Sequence, residues 1–321
     1  MENIVKGKGG TATVSMTFRM PVDRGVVRSA SASFSGMLEL NFYCEMPDEI
    51  LADKQAYVEM SVNGKKISKV LVKDAKNKTL SGRKTKFFSY QLVAKQMRDE
   101  VLFKLYNGKG EAVALRSGSG VDYGTNGCPM SIKGYCDLVI KNSTDEKMLA
   151  LANAMIDYGT ASQINFKYNA DGLAVSSRVS NFNKQYVVDN FTHSVTGDKP
   201  AGFAGYQSLS LVLESATNLR VYHGYDDGIG SGRFAYTLDD ASVKMIKTSS
   251  GKCYLETAGI AAKDLDTVHT FTISLGGKTQ TLKASALSYA ALLCKGDNEV
   301  QNNLGKALYL YNVAAKEYFK K

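Results

Sequence analysis

The residues with the clearest capacity for chemistry are acidic side chains around one glycine-rich stretch. Asp226 and Asp227 immediately precede the Gly-Ile-Gly-Ser-Gly run at residues 228–232. Asp239 and Asp240 follow the next short segment. Carboxylate oxygens are ligands that Ca²⁺ prefers, so these four aspartates form a candidate metal site. Their spacing matches no EF-hand loop, and the alternative is a hairpin turn whose acids face water.

A second candidate site is a run of basic residues in the first half of the chain. The formal net charge is +9, and residues 65–86 hold nine Lys or Arg side chains against one acid, Asp74. Such a strip attracts anionic polymers such as nucleic acid, teichoic acid or acidic glycans. The alternative is a solvated loop whose lysines protect a sheet edge. The candidate binding residues are Lys65, Lys66, Lys69, Lys73, Lys84 and Lys86.

Familiar catalytic patterns are missing from the sequence. There is no GxSxG nucleophile elbow and no Walker A loop, and Arg233 breaks a GxGxxG reading of the glycine run. The three histidines, at positions 193, 223 and 269, are scattered, and no CxxC pair occurs. We therefore expect no cofactor. A pair of carboxylates outside known motifs stays open, because glycosidases need only two acids that flank the sugar.

The five cysteines, an odd number, cannot all pair within the chain. They are Cys44, Cys128, Cys136, Cys253 and Cys294. Free cysteine behaves as a small apolar residue and is readily buried, which is the expectation here. A bridge between Cys128 and Cys136, which are closest in sequence, is the alternative.

Alternating hydrophobicity predicts strands in both halves. In the first half Phe34, Leu38, Leu40, Phe42 and Cys44 share one parity, as apolar residues do on the buried face of a sheet. The same alternation recurs near residues 56–62, 88–92 and 101–105, and in the second half near 209–213, 219–221, 234–236 and 271–275. An additional N-terminal strand is predicted over residues 12–20.

Two segments of helical periodicity resemble each other. Residues 131–166 align with residues 285–319, with Tyr158 matching Tyr311. Each segment predicts a helical hairpin, with a capping box at Ser143–Glu146 in the first copy and Asp297 as N-cap in the second. Apolar stripes then follow at helical spacing: Leu151, Met155, Tyr158 and Ser162, and Leu304, Leu308, Tyr311 and Ala315.

These patterns predict an α+β fold with two similar units. Each unit would be an antiparallel β-sheet or sandwich module followed by a C-terminal helical hairpin. The expected domains are residues 1–168 and residues 169–321, the second opening with a linker.

A family resemblance appears at the end of the first hairpin. Residues 151–174 resemble a helix-end segment of an uncharacterised repeat module found in large secreted or cell-surface proteins of gut Clostridia-type bacteria. Residues 37–60 and 209–223 are similar to two further stretches of that module, and the resemblance covers roughly residues 30–321. The matching residues in the first segment are Met155, Tyr158, Gly159, Ala161, Gln163, Phe166, Tyr168, Asn169, Asp171 and Leu173. The resemblance implies an extracellular or wall-associated setting but assigns no activity and no functional residue.

The sequence therefore favours a non-catalytic cell-surface module with an adhesive, glycan- or protein-binding, or spacer role. The alternative is a glycan-active hydrolase with an unrecognised carboxylate pair. The expected partner is an extracellular polymer or protein, with anionic glycans and teichoic acid among the candidates; we expect no nucleic acid and no insertion into a membrane. The absence of an apolar leader and of an LPxTG sorting sequence favours an excised or mature segment.

Overall fold

The computed structural model describes residues 3–7, 10–14, 23–34, 38–213, 217–226 and 228–320. It is 31% helical and 38% strand, with several antiparallel sheets, so the predicted α+β class is confirmed. Up to residue 130 the elements are β1 (Asn3–Gly7), β2 (Gly10–Val14), β3 (Gly25–Ser33), β4 (Leu38–Glu45), α1 (Asp48–Ala52), β5 (Tyr57–Val62), β6 (Lys65–Leu71), β7 (Lys76–Leu80), β8 (Arg83–Leu92), β9 (Val101–Tyr106), β10 (Ala112–Val113), β11 (Leu115–Ser117), β12 (Asp122–Gly124) and β13 (Cys128–Met130).

The helices and the remaining strands follow. They are α2 (Ile132–Asn142), α3 (Glu146–Phe166), α4 (Ser177–Ser180), α5 (Lys184–Asn190), β14 (Ser194–Gly197), β15 (Phe203–Val212), β16 (Asn218–Tyr225), β17 (Ala235–Leu238), β18 (Ala241–Ser242), β19 (Ile246–Lys247), β20 (Cys253–Glu256), β21 (His269–Leu275), β22 (Lys278–Ala284), α6 (Ala286–Lys295) and α7 (Glu299–Phe319). The predicted strand at residues 12–20 overlaps β2 as far as Val14. Residues 15–20 lie outside the described part of the chain.

The chain divides into two compact units whose limits differ from the predicted boundary at residue 168. Unit 1 comprises residues 1–29, 42–88 and 102–129, and unit 2 comprises residues 30–41, 89–101 and 130–321. Both helical hairpins fall in unit 2, because α3 packs on α7 rather than closing a separate first domain. Whether the two sequence halves are copies of one unit stays a prediction.

Unit 1 is a β-structure with an aromatic core. One sheet has the order β10-β9-β5-β6 with β13 beside β9, and the unit 1 residues of β3, β4 and β8 belong to a second sheet with the order β12-β11-β3-β4-β8-β7. The phenylalanines predicted to face inward meet there: the Phe42 and Phe103 rings stack at 4.9 Å, and Phe88 meets Phe103 edge-on at 5.4 Å. Offset and edge-to-face pairs of this kind stabilise a core beyond the area that they bury.

Unit 2 combines two antiparallel sheets with the helical hairpins. The sheets have the orders β14-β22-β21-β17-β18 and β15-β16-β20-β19. The predicted apolar stripes of α3 and α7 are buried, and the rings of Tyr158 and Tyr311 stack at 5.2 Å. The tyrosine stripe is therefore part of the core.

The helix starts differ from the sequence prediction by one or two residues. α3 is capped by Asp145, which accepts hydrogen bonds from the amides of Lys147 and Met148, so the capping box at Ser143 was wrong. Ser143 instead ends α2 and accepts from the Asp145 amide. α7 is likewise capped by Asn298 rather than Asp297. In both hairpins the capping residue is the one whose side-chain oxygen reaches the free amides of the first turn.

Residues that carry the family resemblance build the C-terminal end of α3. The backbone reverses through Lys167 and Asn169, both with positive φ. Tyr168 donates its hydroxyl proton to the buried carboxylate of Asp99 at 2.5 Å, and Arg98 Nε donates to Gln163 Oε1 at 3.0 Å. Tyr168 and Gln163 thus hold the helix end in place, which is a structural role.

The five cysteines are all free and buried. The expected burial is confirmed, and the structure has no bridge between Cys128 and Cys136. Burial raises the pKa of the Cys136 thiol to about 12 and that of Cys294 to about 11, because the thiolate is the form that burial penalises.

Candidate functional site

The structure distributes the six candidate lysines over two sheets. Lys65, Lys66 and Lys69 lie on β6, the last strand of the four-stranded path, and Lys73 follows in a short 3₁₀ turn. Lys84 and Lys86 lie on β8, in the six-stranded sheet. The predicted strip is therefore divided between strands of two sheets, and its role in binding stays a prediction.

The β6 group is partly occupied by neighbouring side chains. Lys66 Nζ lies 2.6 Å from the carboxylate of Glu59, and this hydrogen bond raises the pKa of the Lys66 ammonium. Lys69 Nζ sits 3.8 Å above the centre of the Tyr57 ring, in cation–π geometry. These two ammonium groups are already engaged, so they favour the sheet-edge interpretation.

The β8 group lines a surface groove of about 320 Å³. We call it the β8 groove and define it by Met46, Leu51, Asn77, Lys78, Thr79, Lys84, Thr85 and Lys86. Leu51 on α1 is 48% exposed and gives the groove an apolar wall. No carboxylate is among the lining residues, so the charge of the groove is positive.

The hairpin turn and strand alternation explain how the lysines reach this groove. Ser81 and Gly82 both have positive φ, as the two central residues of a tight β-hairpin turn require. The resulting register sets Asn77 opposite Lys86 and Thr79 opposite Lys84. Because side chains alternate along a strand, Lys84 and Lys86 share the face of Phe88, which points into the core.

The ammonium groups of Lys84 and Lys86 differ in how far neighbouring groups already engage them. Lys86 is half-buried and its Nζ donates to the carbonyl of Ala75 at 3.4 Å. Lys84 is exposed and forms an ion pair with none of the residues that the structure describes. Alternate residues of a strand are about 6.6 Å apart, so the pair presents two cations at a spacing that suits a multiply charged anion.

Three of the four candidate metal-binding aspartates belong to the described residues, and they lie at two different turns. Asp226 follows the end of β16, whereas Asp239 and Asp240 form the turn between β17 and β18. Asp227 lies outside the described residues. Within the described ranges, no group of three or more His, Cys, Asp or Glu side chains could hold a metal ion. Ca²⁺ binding by the full set of four stays a prediction.

A buried histidine, which the sequence analysis did not select, lies beside the first of these turns. His223 on β16 is 2% exposed, and its Nε2 lies 3.0 Å from the hydroxyl of Tyr225. The hydroxyl of Tyr225 contacts that of Tyr236, which donates to the carbonyl of Ser231 at 2.7 Å. The sequence did contain one indication that His223 is buried: it lies at alternate positions with Leu219 and Val221, so it shares the inward face of β16 with them.

Proton counting along this chain of groups assigns the histidine tautomer. The single Tyr236 proton goes to Ser231, so the Tyr225 proton must lie between the two phenols. His223 Nε2 is therefore the donor to Tyr225. Burial lowers the pKa of His223 to about 4, which keeps the ring neutral near pH 7.

Comparison with known proteins adds no assignment: the sequence matches no protein-family model and no curated protein. Within the described part of the chain, no helix has both the length and the apolar character to cross a membrane.

Proposed function

We propose that this chain is a non-catalytic module of a surface protein that binds an anionic extracellular polymer through the β8 groove. The observation that carries the proposal is the pairing of Lys84 and Lys86 beside an apolar wall, with no acid among the lining residues. Polyanionic glycans fit this chemistry, since their sugar rings offer apolar faces and their acidic groups attract ammonium ions. The extracellular setting rests on the sequence resemblance.

The repeat of one unit in the two sequence halves belongs to the same proposal. It is supported by the equal length of α3 and α7, 21 residues each, and by the Ser N-caps of α2 and α6. An experimental structure tests it: the α2–α3 and α6–α7 hairpins should superpose with their preceding strands in matching order. Different strand orders would refute the repeat.

Binding is tested with a pair of charge-matched variants. Lys84→Gln/Lys86→Gln removes two of the three cations that line the β8 groove and leaves Lys78, and Lys65→Gln/Lys73→Gln removes two exposed cations elsewhere on unit 1. Heparin, teichoic acid and mucin serve as probes at low and moderate salt. We expect the groove variant to bind about tenfold more weakly, since two charge contacts in reach of solvent, one from the exposed Lys84 and one from the half-buried Lys86, contribute about 1.4 kcal/mol together.

The control variant should retain most of the binding, and affinity should fall as salt rises because the contacts are electrostatic. Equal losses in the two variants would mean that overall charge, not the groove, is responsible. No binding by the parent chain would refute the proposed function. Turnover of any glycan probe in the same samples would favour the hydrolase alternative.

A further inference from the structure

A second groove, in unit 2, has the opposite charge. It has a volume of about 600 Å³ and lies between the β17–β18 hairpin and the segment that leads from β20 to β21. This size is within the range of small-molecule sites, about 300–1,000 Å³. We call it the His269 groove and define it by Leu238, Asp239, Ala241, Val243, Thr257, Ala258, Gly259, Ile260, Ala261, Asp264, Thr267 and His269.

The lining combines an apolar wall with two carboxylates. Leu238, Val243 and Ile260 supply much of the apolar surface, and Asp239 and Asp264 supply the charge. None of the described residues that line the groove is Lys or Arg. Asp264 forms a 3.0 Å ion pair with the neighbouring Lys263, but both side chains are more than 40% exposed, so water screens that pair.

One histidine in this groove is held in a defined orientation. His269 Nδ1 lies 2.7 Å from Asp239 Oδ2, while Asp239 Oδ1 accepts from the Thr270 amide at 2.8 Å. A carboxylate can only accept, so Nδ1 is the donor and, in the neutral ring, Nε2 is left as an acceptor. Among the hydrogen bonds of the described residues, none uses His269 Nε2.

We propose that the His269 groove binds a small organic amine, an ammonium group on an apolar body. The ammonium donates to the acceptors that the groove offers, Asp264 and the His269 Nε2 atom, and the body lies against the apolar wall. An anionic ligand would meet two carboxylates, and a neutral apolar ligand would leave the acceptors without donors. This proposal is independent of the β8 groove, whose charge is opposite.

The experiment uses three probes with one common body: 2-phenylethylamine, 2-phenylethanol and 3-phenylpropanoate. Binding is followed in ¹³C-methyl NMR spectra through the signals of Ile260 and Val243. We expect saturable shifts with the amine, at least fivefold weaker binding of the alcohol, and no binding of the carboxylate. Equal shifts from all three probes, or none from the amine, would overturn the proposal.

Matched variants separate the site from overall charge. Asp264→Asn and His269→Gln should each weaken amine binding about three- to tenfold, the range expected for the loss of a charged or oriented acceptor. Asp240→Asn makes the same charge change as Asp264→Asn, but at a turn residue that does not line the groove. Equal weakening by Asp240→Asn would refute a defined site. Lysine-containing peptides serve as a fourth probe. If they shift the methyl signals and 2-phenylethylamine does not, the groove binds a protein partner, and the small-amine proposal is refuted.

Discussion

Acidification should destabilise unit 2 through one residue, His223. Its ring is buried, and burial lowers its pKa to about 4 from an ordinary value of 6.5. The unfolded chain therefore binds a proton that the folded chain rejects at intermediate pH. The free energy of unfolding falls as the pH drops below 6.5 and stops responding to this group below about 4.

The size of the effect follows from the two pKa values. At pH 5.5 the loss is about 1.4 kcal/mol, and by pH 4 it is about 3 kcal/mol, at about 1.36 kcal/mol for each pKa unit. These values are upper estimates, because a protonated ring would gain a donor toward the carbonyl of Val221, now 3.4 Å from Nδ1. A loss of this size is a large share of the stability of an ordinary domain.

Urea unfolding from pH 7.5 to pH 4 measures this effect in the native chain and in His223→Phe. Phe is the matched choice, since it keeps an aromatic ring at this position and cannot titrate. The carboxylates titrate in both proteins, so the difference between the two pH profiles isolates His223. We expect the native chain to lose about 3 kcal/mol more than the variant.

If the free energies of unfolding of the native chain and of His223→Phe changed in parallel with pH, the assigned role of His223 would be refuted. A ¹⁵N spectrum of the histidine rings gives an independent check that does not depend on how well the Phe variant folds. His223 should stay neutral at pH 5.5 with its proton on Nε2. A protonated ring at that pH, or a proton on Nδ1, would contradict the hydrogen-bond chain through Tyr225.

Two further predictions concern the packing of each unit and use urea unfolding at neutral pH. In unit 2, Gly159→Ala places a Cβ 1.7 Å from the sulfur of Met97, so we expect the free energy of unfolding to fall by about 1–3 kcal/mol from overpacking. As a control, the new Cβ of Gly230→Ala meets no atom within 4 Å, and this variant should cost less than about 1 kcal/mol. Equal losses in the two variants would contradict the close approach of Gly159 to Met97. In unit 1, Arg28→Ala removes the guanidinium that donates to the buried Glu45 at 2.6 Å. Because Arg83 stays 3.4 Å from the same carboxylate oxygen, the loss should be about 1.5–3 kcal/mol, the range for a hydrogen bond to a charged group. A loss below about 1 kcal/mol would show that this carboxylate does not depend on Arg28.

The local features of the fold could be predicted from the sequence because they depend on short-range periodicity. The alternation of Leu40, Phe42 and Cys44 predicted a strand with one buried face, and all three are buried in β4. The Tyr158 and Tyr311 stripes predicted two long helices with apolar faces, and both helices are present. Helix starts were less accurate, since Ser, Asp and Asn can all cap and several lie next to one another in both connections.

The candidate sites could not be predicted in the same way, because they depend on pairing between distant strands. Lys65 and Lys84 are in one basic stretch of sequence, yet one lies on β6 and the other on β8, in different sheets. His269 and Asp239 are 30 residues apart and meet through the register of β17 against β21. A strand's own sequence fixes which side chains share a face, but the partner strand decides which charges meet there.

That distinction also explains why net charge is a poor guide to the ligand of this chain. The formal net charge of +9 would predict an anionic ligand at any site on this chain. The His269 groove nevertheless has two carboxylates and no Lys or Arg among the described residues that line it. The β8 groove is cationic because Lys84 and Lys86, which share one face of β8, line it together with Leu51 of α1. At contact distance a ligand responds mainly to the charges that line its own groove, since exposed charges farther than a Debye length, about 8 Å at physiological salt, are largely screened. Two sites of opposite selectivity are therefore compatible with one basic chain.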